Sequence, residues 1–486
     1  MRIREAYDAA LGLMRREKFT DALVVLNDML NVRPDDGVIF FLIGTCHRKL
    51  GHDALAYALF LTALEYKPDL FEAKMNLFWL LQEQGRHEEQ LAILKECEEL
   101  RPDDPDVVRN FASAYLNNQT PEIAEGYTRK TVEMVGERPD LMIQLGMSLL
   151  EQERFGEGFD AMDKALTLGE RKTRNFWALG ETPMWDGTSG QNVMVYGEQG
   201  HGDEIMFASC MREVITMSNQ VFIDTSKGNM IDLYTRSFPD AIVFCTPDSQ
   251  LKPYHTECKI DAAIPFGSLP TLFRRDKDQF PLHDGYLTAH PARKKEMRRR
   301  LDELGEGLKI GIAWRGGTKK TNMVNRTVGL EEFQPILHQT GAHFISLQYT
   351  PDAAGEADSQ QDITGVPVHH WQAAITDFEM LTALIDEVDL VISVPQTAVH
   401  QRAALGKECW VLTPHKTSWT FGLEGEDSVW YPKQVRQFRQ TASETKLTGA
   451  ITRCALELSK RTGSKPGSVY IPEPVISEVQ IQSPQC

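Results

Sequence analysis

The 486-residue sequence predicts a helical solenoid followed by two α/β lobes. The solenoid is predicted because Pro34, Pro68 and Pro102 recur every 34 residues, each at the close of a stretch with helical apolar periodicity. A period of this length is typical of stacked helix–turn–helix units. The lobes are predicted because short apolar strands alternate with helices from Gln191 onward, which indicates parallel sheets covered by helices on both faces.

The repeats occupy residues 1–170 and keep small side chains at regular places. In the second repeat, Gly44, Ala56 and Ala63 stand where two antiparallel helices have to approach closely. One such pair cannot bury its apolar face alone, so the pairs stack on one another. We therefore expect this region to bind another protein chain.

Four segments follow the repeats. We assign residues 171–190 to a connector, 191–305 to the first lobe with a charged linker helix, 306–462 to the second lobe, and 463–486 to a loosely ordered tail. In open α/β sheets, ligands bind beyond the carboxyl ends of the strands. We therefore expect the chemistry in the loops that follow the strands, facing a cleft between the lobes.

Within the lobes, the apolar pattern predicts individual elements. It predicts one helix over Glu204–Thr216 and another over Leu330–Thr340. The predicted strands are Val193–Tyr196, Gln220–Asp224, Ala241–Phe244, Ala262–Ile264, Lys309–Trp314, His343–Gln348, Leu390–Val394 and Cys409–Leu412.

The composition limits the classes of partner. The net charge of −17 argues against nucleic acid as the main ligand, since phosphate backbones require a basic face. None of the eight cysteines forms a C-x-x-C pair, so no zinc site is predicted. No apolar run is long enough to span a membrane and the N-terminus lacks a secretion signal, which predicts a cytoplasmic protein without a membrane segment.

A glycine-rich turn joins the first lobe's first strand to a helix. Gly200 and Gly202 allow a ligand close to the backbone, and the helix start offers free N–H groups to an anion. His201 and Asp203 are the proton-transfer candidates at this edge. The alternative is an ordinary turn in which Asp203 caps the helix.

A basic loop follows the second lobe's first strand. Trp314 ends the strand, and Arg315, Lys319, Lys320 and Arg326 follow within twelve residues, although the chain is strongly acidic. Arginine and lysine in such a loop suit a diphosphate. The alternative is a solvated loop without a ligand.

Two further strand ends carry polar residues. Gln348 follows a strand and could bond a nucleobase edge, or could be an ordinary polar strand end. Thr397 lies at a helix N-terminus that favours an anion, and His400 follows one turn later. A helical histidine is otherwise structural.

Taken together, these motifs resemble bacterial glycosyltransferases fused to tetratricopeptide repeats. Their catalytic region is similar to heptosyltransferases and, more distantly, to O-linked N-acetylglucosamine transferases. The matching motifs are Trp-Asp-Gly at 185–187, Gly-Glu-Gln-Gly-x-Gly-Asp at 197–203, Gly-Ile-Ala-Trp at 311–314, Ser-Leu-Gln at 346–348 and Val-Ile-Ser-Val at 391–394.

The resemblance implies a tetratricopeptide-repeat solenoid followed by a GT-B pair of doubly wound, Rossmann-like lobes. The enzyme would use a nucleotide-sugar as its substrate, with neither cofactor nor metal. Asp203 would be the base, Arg315, Arg326 and a lysine would hold the donor phosphates, and Thr397 and His400 would lie on the nucleotide side. The acceptor would be a Ser or Thr hydroxyl of a protein such as flagellin.

The sequence departs from the family at two places. Pro395–Gln396 replaces the usual Asp-Thr start, and Gln401–Ala403 replaces Leu-Ala-Gly. His201 also stands where many relatives have an apolar residue. Two alternatives stay open: an adaptor with a degenerate catalytic region, and a heptosyltransferase-like enzyme that acts on a glycan.

Overall fold

The computed structural model of the chain describes residues 3–168, 182–246, 259–317, 326–415, 417–444 and 446–463. The chain divides into two compact units. The helical unit comprises Met1–Gln152 with Asp160–Glu170, and the α/β unit comprises Glu153–Phe159 with Arg171–Cys486. Beyond Gly463, the predicted tail lies outside the described residues, as does the predicted connector up to residue 181.

Residues 3–168 contain ten helices, and the first nine pack on one another in chain order. The second helix of each pair begins 34 residues after the previous one, at residues 19, 53, 87, 121 and 155. The predicted helical solenoid is therefore confirmed. The helices are α1 Ile3–Arg15, α2 Phe19–Val32, α3 Gly37–Lys49, α4 Asp53–Tyr66, α5 Phe71–Glu83, α6 His87–Leu100, α7 Pro105–Asn117, α8 Pro121–Val135, α9 Pro139–Glu151 and α10 Phe155–Thr167.

The small residues of the repeats do what their spacing predicts. A Cβ atom on Gly44 would lie 2.8 Å from the ring of Phe60, so glycine is what allows α3 and α4 to pack this closely. Ala56 and Phe60 are fully buried in the same contact. The start of α3 is capped by Asp36, whose carboxylate accepts the N–H of Val38 at 3.0 Å.

The first sheet of the α/β unit has four parallel strands among the described residues, in the order β3-β2-β1-β4. Its strands are β1 Asn192–Tyr196, β2 Gln220–Asp224, β3 Ala241–Phe244 and β4 Ala262–Pro265. The helices around it are α11 His201–Phe207, α12 Met211–Met217, α13 Ile231–Ser237, α14 Leu269–Phe273 and α15 Pro291–Asp302, with 3₁₀ turns at Ala208–Cys210, Gly228–Met230, Phe266–Ser268 and Lys277–Gln279.

The second sheet has six parallel strands in the order β10-β9-β8-β5-β6-β7, again among the described residues. Its strands are β5 Leu308–Ala313, β6 Ala342–Ser346, β7 Val368–His369, β8 Leu390–Ser393, β9 Cys409–Thr413 and β10 Val435–Arg439. Its helices are α16 Gln334–Leu337, α17 Ala353–Thr364, α18 Gln372–Thr376, α19 Phe378–Glu387, α20 Thr397–Ala404 and α21 Thr448–Thr462, with 3₁₀ turns at Leu330–Phe333 and Trp419–Phe421. The expected parallel sheets and helices are thus present.

Two predicted helices are wrong as single elements. The helix expected over Glu204–Thr216 is broken by the 3₁₀ turn Ala208–Cys210, where the carbonyl of Ser209 accepts a hydrogen bond from the buried Arg274 guanidinium at 3.0 Å. The helix expected over Leu330–Thr340 is shorter and begins as a 3₁₀ turn, because Pro335 lacks the N–H that a longer helix needs.

The segment that leads to α15 is tied by its backbone to the end of α20. The N–H groups of Tyr286 and Leu287 both donate to the carbonyl of Ala404, at 2.8 and 2.9 Å. Gly285 and Gly406 meet at this crossing, since a Cβ on Gly285 would lie 2.7 Å from the nitrogen of Gly406. Both glycines have positive φ, of +106° and +76°, which side chains rarely adopt.

Candidate functional site

The predicted site residues follow strands that adjoin the point where each sheet reverses its strand order. In the first sheet β1 lies between β2 and β4, and in the second β5 lies between β6 and β8. Ligands of such sheets bind beyond the carboxyl ends of the strands at this point. The glycine-rich turn follows β1, the basic loop follows β5, and Thr397 follows β8.

The backbone of the glycine-rich turn packs closely against the loop after β2. A Cβ on Gly197 would lie 2.5 Å from the backbone nitrogen of Ser226. Glu204 is buried beside it, and its carboxylate accepts the N–H of Ser226 at 3.1 Å. The turn therefore depends on a glycine and on a buried acid that bridges to the loop after β2.

Asp203 is half-buried at the start of α11. Burial raises the pKa of its carboxyl group, and the charge of Glu198 raises it further. The N–H of Gly200 and the charge of Arg326 act in the opposite direction without cancelling these effects. The carboxylate is thus a stronger base than an exposed aspartate.

Arg326 is the cation that faces Asp203. Its backbone carbonyl accepts the N–H of Gly316 at 3.0 Å, which fixes the returning end of the basic loop. Burial lowers the pKa of its guanidinium, and the charge of Asp203 offsets part of that effect. Its side chain forms no hydrogen bond or ion pair within the described ranges, so its donors are available to an anionic ligand.

His400 and Thr397 meet the glycine-rich turn from the second lobe. A Cβ on Gly202 would lie 3.2 Å from Cδ2 of His400 and 3.5 Å from Oγ1 of Thr397. Burial, followed by the charge of Arg326, lowers the pKa of His400 to about 4. The imidazole is therefore neutral at physiological pH.

Two tyrosines extend a chain of polar contacts that begins at His400. Nδ1 of His400 lies 3.2 Å from the hydroxyl of Tyr431, which lies 3.3 Å from the hydroxyl of Tyr286. The Tyr286 hydroxyl donates to the carbonyl of Ile205 at 2.8 Å. The charge of Asp203 also acts on Tyr431 and adds to the effect of burial, which raises its pKa. We call Asp203, Arg326, His400 and Tyr431 the central cluster.

Three of the predicted ligand residues have partners within the protein, and their contacts with a ligand stay predictions. The carbonyl oxygen of the Gln348 side chain accepts the N–H groups of Trp314 and Arg315, at 3.2 and 3.0 Å. The Trp314 indole is fully buried and donates to Glu356 at 2.9 Å, while Arg315 forms an ion pair with Glu356. The indole therefore lies in the core beneath the basic loop, and the predicted role of Trp314 in ligand binding stays a prediction.

The remaining predicted residues have varied outcomes. Nε2 of His201 lies 3.1 Å from Oδ1 of Asn229, and its ring stands 5.3 Å from that of Phe378. The expected proton transfer by His201 stays a prediction. Gly200 is the residue before α11. Lys319 and Lys320 lie outside the described residues.

Sequence reasoning missed Tyr286, Tyr431 and Glu356. Tyr431 belongs to an aromatic-rich stretch that could not be distinguished from core by pattern, and Tyr286 follows a glycine in a loop without periodicity. Within the described ranges, no group of three or more metal-ligating side chains is found. Over the same residues, no helix combines the length and apolarity needed to cross a membrane.

The comparison with known proteins identifies the family of repeats in the helical unit. Residues 4–147 match the tetratricopeptide repeat family model, so the N-terminal region is a tetratricopeptide-repeat solenoid. Solenoids of this kind present extended surfaces that bind other proteins.

One curated relative extends beyond the repeats. The chain is 25% identical over 449 residues to Protein FlbA of Caulobacter vibrioides, a match that covers 89% of this chain and 69% of FlbA. Similar solved structures include MamA from Desulfovibrio magneticus RS-1, with 18% identity, a TM-score of 0.33 and coverage of 35% of this chain and 96% of MamA. PilF of Pseudomonas aeruginosa has 21% identity, a TM-score of 0.31 and coverage of 34% and 78%.

Proposed function

We propose that the protein is a glycosyltransferase that moves a sugar from a nucleotide-activated donor to a hydroxyl group, with its two sheets as the lobes of a GT-B fold. The observation that carries the proposal is that Asp203 and Arg326 lie close enough to act on each other electrostatically. A half-buried carboxylate of raised basicity faces a guanidinium that has no partner among the described side chains. Base and anion site thus lie together beyond the carboxyl ends of β1 and β5.

In this mechanism Asp203 takes the proton of the acceptor hydroxyl. The acceptor oxygen forms a bond to the anomeric carbon of the sugar, and the bond from that carbon to the phosphate oxygen breaks. The nucleoside diphosphate leaves with the bonding electrons, and Arg326 stabilises its added negative charge. Thr397 lies in the first turn of α20, where the helix dipole favours the same charge.

The repeats support a protein acceptor. A solenoid that binds the acceptor chain raises the effective concentration of its Ser and Thr hydroxyls near the second unit. We propose a flagellin-like protein as the acceptor and the cytoplasm as the place of the reaction.

The first test is a thermal-shift screen with UDP, GDP, ADP, CDP and dTDP. At least one is expected to raise the melting temperature of the full chain, because a ligand that binds the folded state stabilises it. Arg326→Gln should abolish the shift, whereas Asp203→Asn should keep it. Arg299→Gln is the matched control, because Arg299 is an exposed arginine of α15 that pairs with Glu303, the residue after the helix. A chain that responds to none of the five is not a nucleotide-sugar enzyme.

The second test measures transfer from the sugar form of the nucleotide that binds. Asp203→Asn is expected to lower the rate by about 10²- to 10⁴-fold, the usual contribution of a general base. The donor sugar carries a label. Label that is transferred to protease-sensitive material supports a protein acceptor. Label that resists protease supports a glycan acceptor and the heptosyltransferase-like alternative.

A non-catalytic adaptor is the second candidate. It is favoured by the ion pair between Arg315 and Glu356, which neutralises one of the predicted phosphate ligands, and by Pro395–Gln396 at the start of α20. If the protein is an adaptor, wild type and Asp203→Asn should bind the protein partner equally well. Nucleotides should then raise the melting temperature of neither chain.

A further inference from the structure

The hydrogen bonds from His400 to the backbone of α11 form a continuous chain with a defined direction. The single proton of the Tyr286 hydroxyl is donated to the carbonyl of Ile205 at 2.8 Å. Between the hydroxyls of Tyr286 and Tyr431, 3.3 Å apart, the proton must therefore come from Tyr431. Tyr431 then has no proton left for His400, so Nδ1 of His400 has to be the donor over the 3.2 Å between them.

The opposite direction leaves a bond unmade. If Tyr431 donated to Nδ1, the oxygens of Tyr286 and Tyr431 would face each other with lone pairs only, in a site where Tyr431 is buried and Tyr286 is half-buried. An unmade hydrogen bond at a buried polar group is strongly unfavourable. The donating direction satisfies every group from His400 to Ile205 and is therefore preferred.

This direction fixes the state of the other ring nitrogen. A neutral imidazole carries one proton, so a protonated Nδ1 leaves Nε2 as an acceptor. Nε2 has no hydrogen-bond partner among the described residues, and it does not belong to the polar atoms sealed from solvent. Arg326 acts on this ring with its positive charge, and a cation favours a lone pair over an N–H group.

We propose that Nε2 of His400 accepts a hydrogen bond from a hydroxyl group of the nucleotide-sugar, on its ribose or on its sugar, with Tyr431 and Tyr286 as positioning residues that hold the ring in the accepting tautomer. The inference rests on the proposed function, since it assigns one contact within that site. It differs from a structural histidine, because a structural histidine would need neither a fixed tautomer nor an accessible nitrogen beside a cation without a partner.

The tautomer is tested first, without a ligand. Imidazole ¹⁵N NMR of the full chain is expected to show His400 with a protonated Nδ1 and an unprotonated Nε2. Tyr431→Phe removes the acceptor of Nδ1–H and should shift the ring toward the Nε2–H form. Tyr234→Phe is the matched control, since Tyr234 is also a buried tyrosine but its hydroxyl has no partner among the described groups. A wild-type ring protonated at Nε2 would overturn the inference.

Binding is tested next with the nucleoside diphosphate that gives the largest thermal shift and with its sugar form. His400→Phe should weaken the sugar form about 3- to 10-fold, the range for one lost hydrogen bond. His400→Gln should keep most of the wild-type affinity for the sugar form, because the carboxamide oxygen of glutamine can replace Nε2 as the acceptor. Deoxy analogues distinguish the sources: the hydroxyl whose removal weakens wild type but not His400→Phe is the one that Nε2 binds.

The outcomes separate this inference from the proposed function. If wild type binds the nucleotide-sugar and His400→Phe binds it as tightly, the inference is wrong and the proposed function stands. If wild type binds none of the five nucleotides, the proposed function is wrong and the hydroxyl contact is wrong with it.

Discussion

Gly202 and His400 come together from different lobes of the α/β unit, so that a Cβ atom on Gly202 would lie 3.2 Å from Cδ2 of the imidazole. This is tighter than an ordinary van der Waals contact. Asp203 follows Gly202 in the chain and therefore adjoins this contact between the lobes.

Gly202→Ala is expected to weaken nucleotide binding with little change in melting temperature. The added methyl group displaces His400, while alanine in a helix is more favourable than glycine by up to about 1 kcal/mol. The measurement is the thermal shift with and without the nucleotide. Gly355→Ala in α17 is the control, because its Cβ would meet nothing within 4 Å. Normal nucleotide binding by Gly202→Ala would mean that the two lobes adjust freely at this contact.

Asp203→Asn is expected to stabilise the α/β unit at pH 8 and to leave it unchanged near pH 4. The folded pKa of Asp203 is raised, so its contribution to stability is fully present below the unfolded value of about 3.9 and is lost as the pH rises through the folded value. Asparagine carries no charge and avoids this loss. Calorimetric melting at the two pH values measures it, with the exposed Asp302→Asn as control. A variant that melts lower at pH 8 would show that the attraction of Arg326 outweighs burial.

Glu151→Gln is expected to stabilise the helical unit at pH 9 but not at pH 4. Glu151 is buried near the end of α9, Oε2 has no partner within the described ranges, and burial together with the charge of Glu122 raises its pKa to about 8. The folded state therefore binds this proton more tightly than the unfolded state. Stability falls by up to about 1.4 kcal/mol per pH unit as the pH rises from the unfolded toward the folded pKa.

Urea unfolding of the helical unit at the two pH values provides this measurement. Glu133→Gln, an exposed substitution on α8, is the control and should change neither value. Glu122→Gln should reproduce a small part of the effect, because it removes the second cause of the raised pKa. Equal pH profiles for wild type and Glu151→Gln would contradict the prediction.

Arg402→Lys is expected to destabilise the α/β unit by about 3–5 kcal/mol, the usual result of breaking a buried charged network. The buried Arg402 guanidinium donates to several backbone carbonyls at once, and a lysine ammonium cannot span them. These carbonyls belong to Ile385, Asp386, Val388, Asp389 and Glu408. Thermal melting is the measurement, and Arg299→Lys on the surface of α15 is expected to be neutral. A loss below about 1 kcal/mol would mean that water satisfies the carbonyls.

The sequence was sufficient for elements that depend on local pattern. The repeat period set the starts of α2, α4, α6, α8 and α10, and strands β2 and β3 match their predicted bounds. Helix α17 and strand β10 were missed, because α17 is mostly polar and β10 alternates Val435, Gln437 and Phe438 with arginines in an aromatic-rich stretch.

The candidate site was predictable only in part. Asp203, Arg326, Thr397 and His400 lie in the loops and helices that follow strands, and strand ends can be found from sequence. Tyr431 and Tyr286 could not be found, because their contact joins positions 145 residues apart and depends on the packing of both lobes. The role predicted for Trp314 stays a prediction, and its buried indole shows that a strand-end residue can face the core as readily as a ligand.

The crossing of Gly285 and Gly406 restricts which substitutions this protein can accept. Neither position carries a functional group, yet a side chain at either one would push apart two strands of backbone that anchor the last turn of α20. A saturation library at the two codons should therefore return glycine almost alone. A screen that considered only side chains with functional groups would overlook both positions.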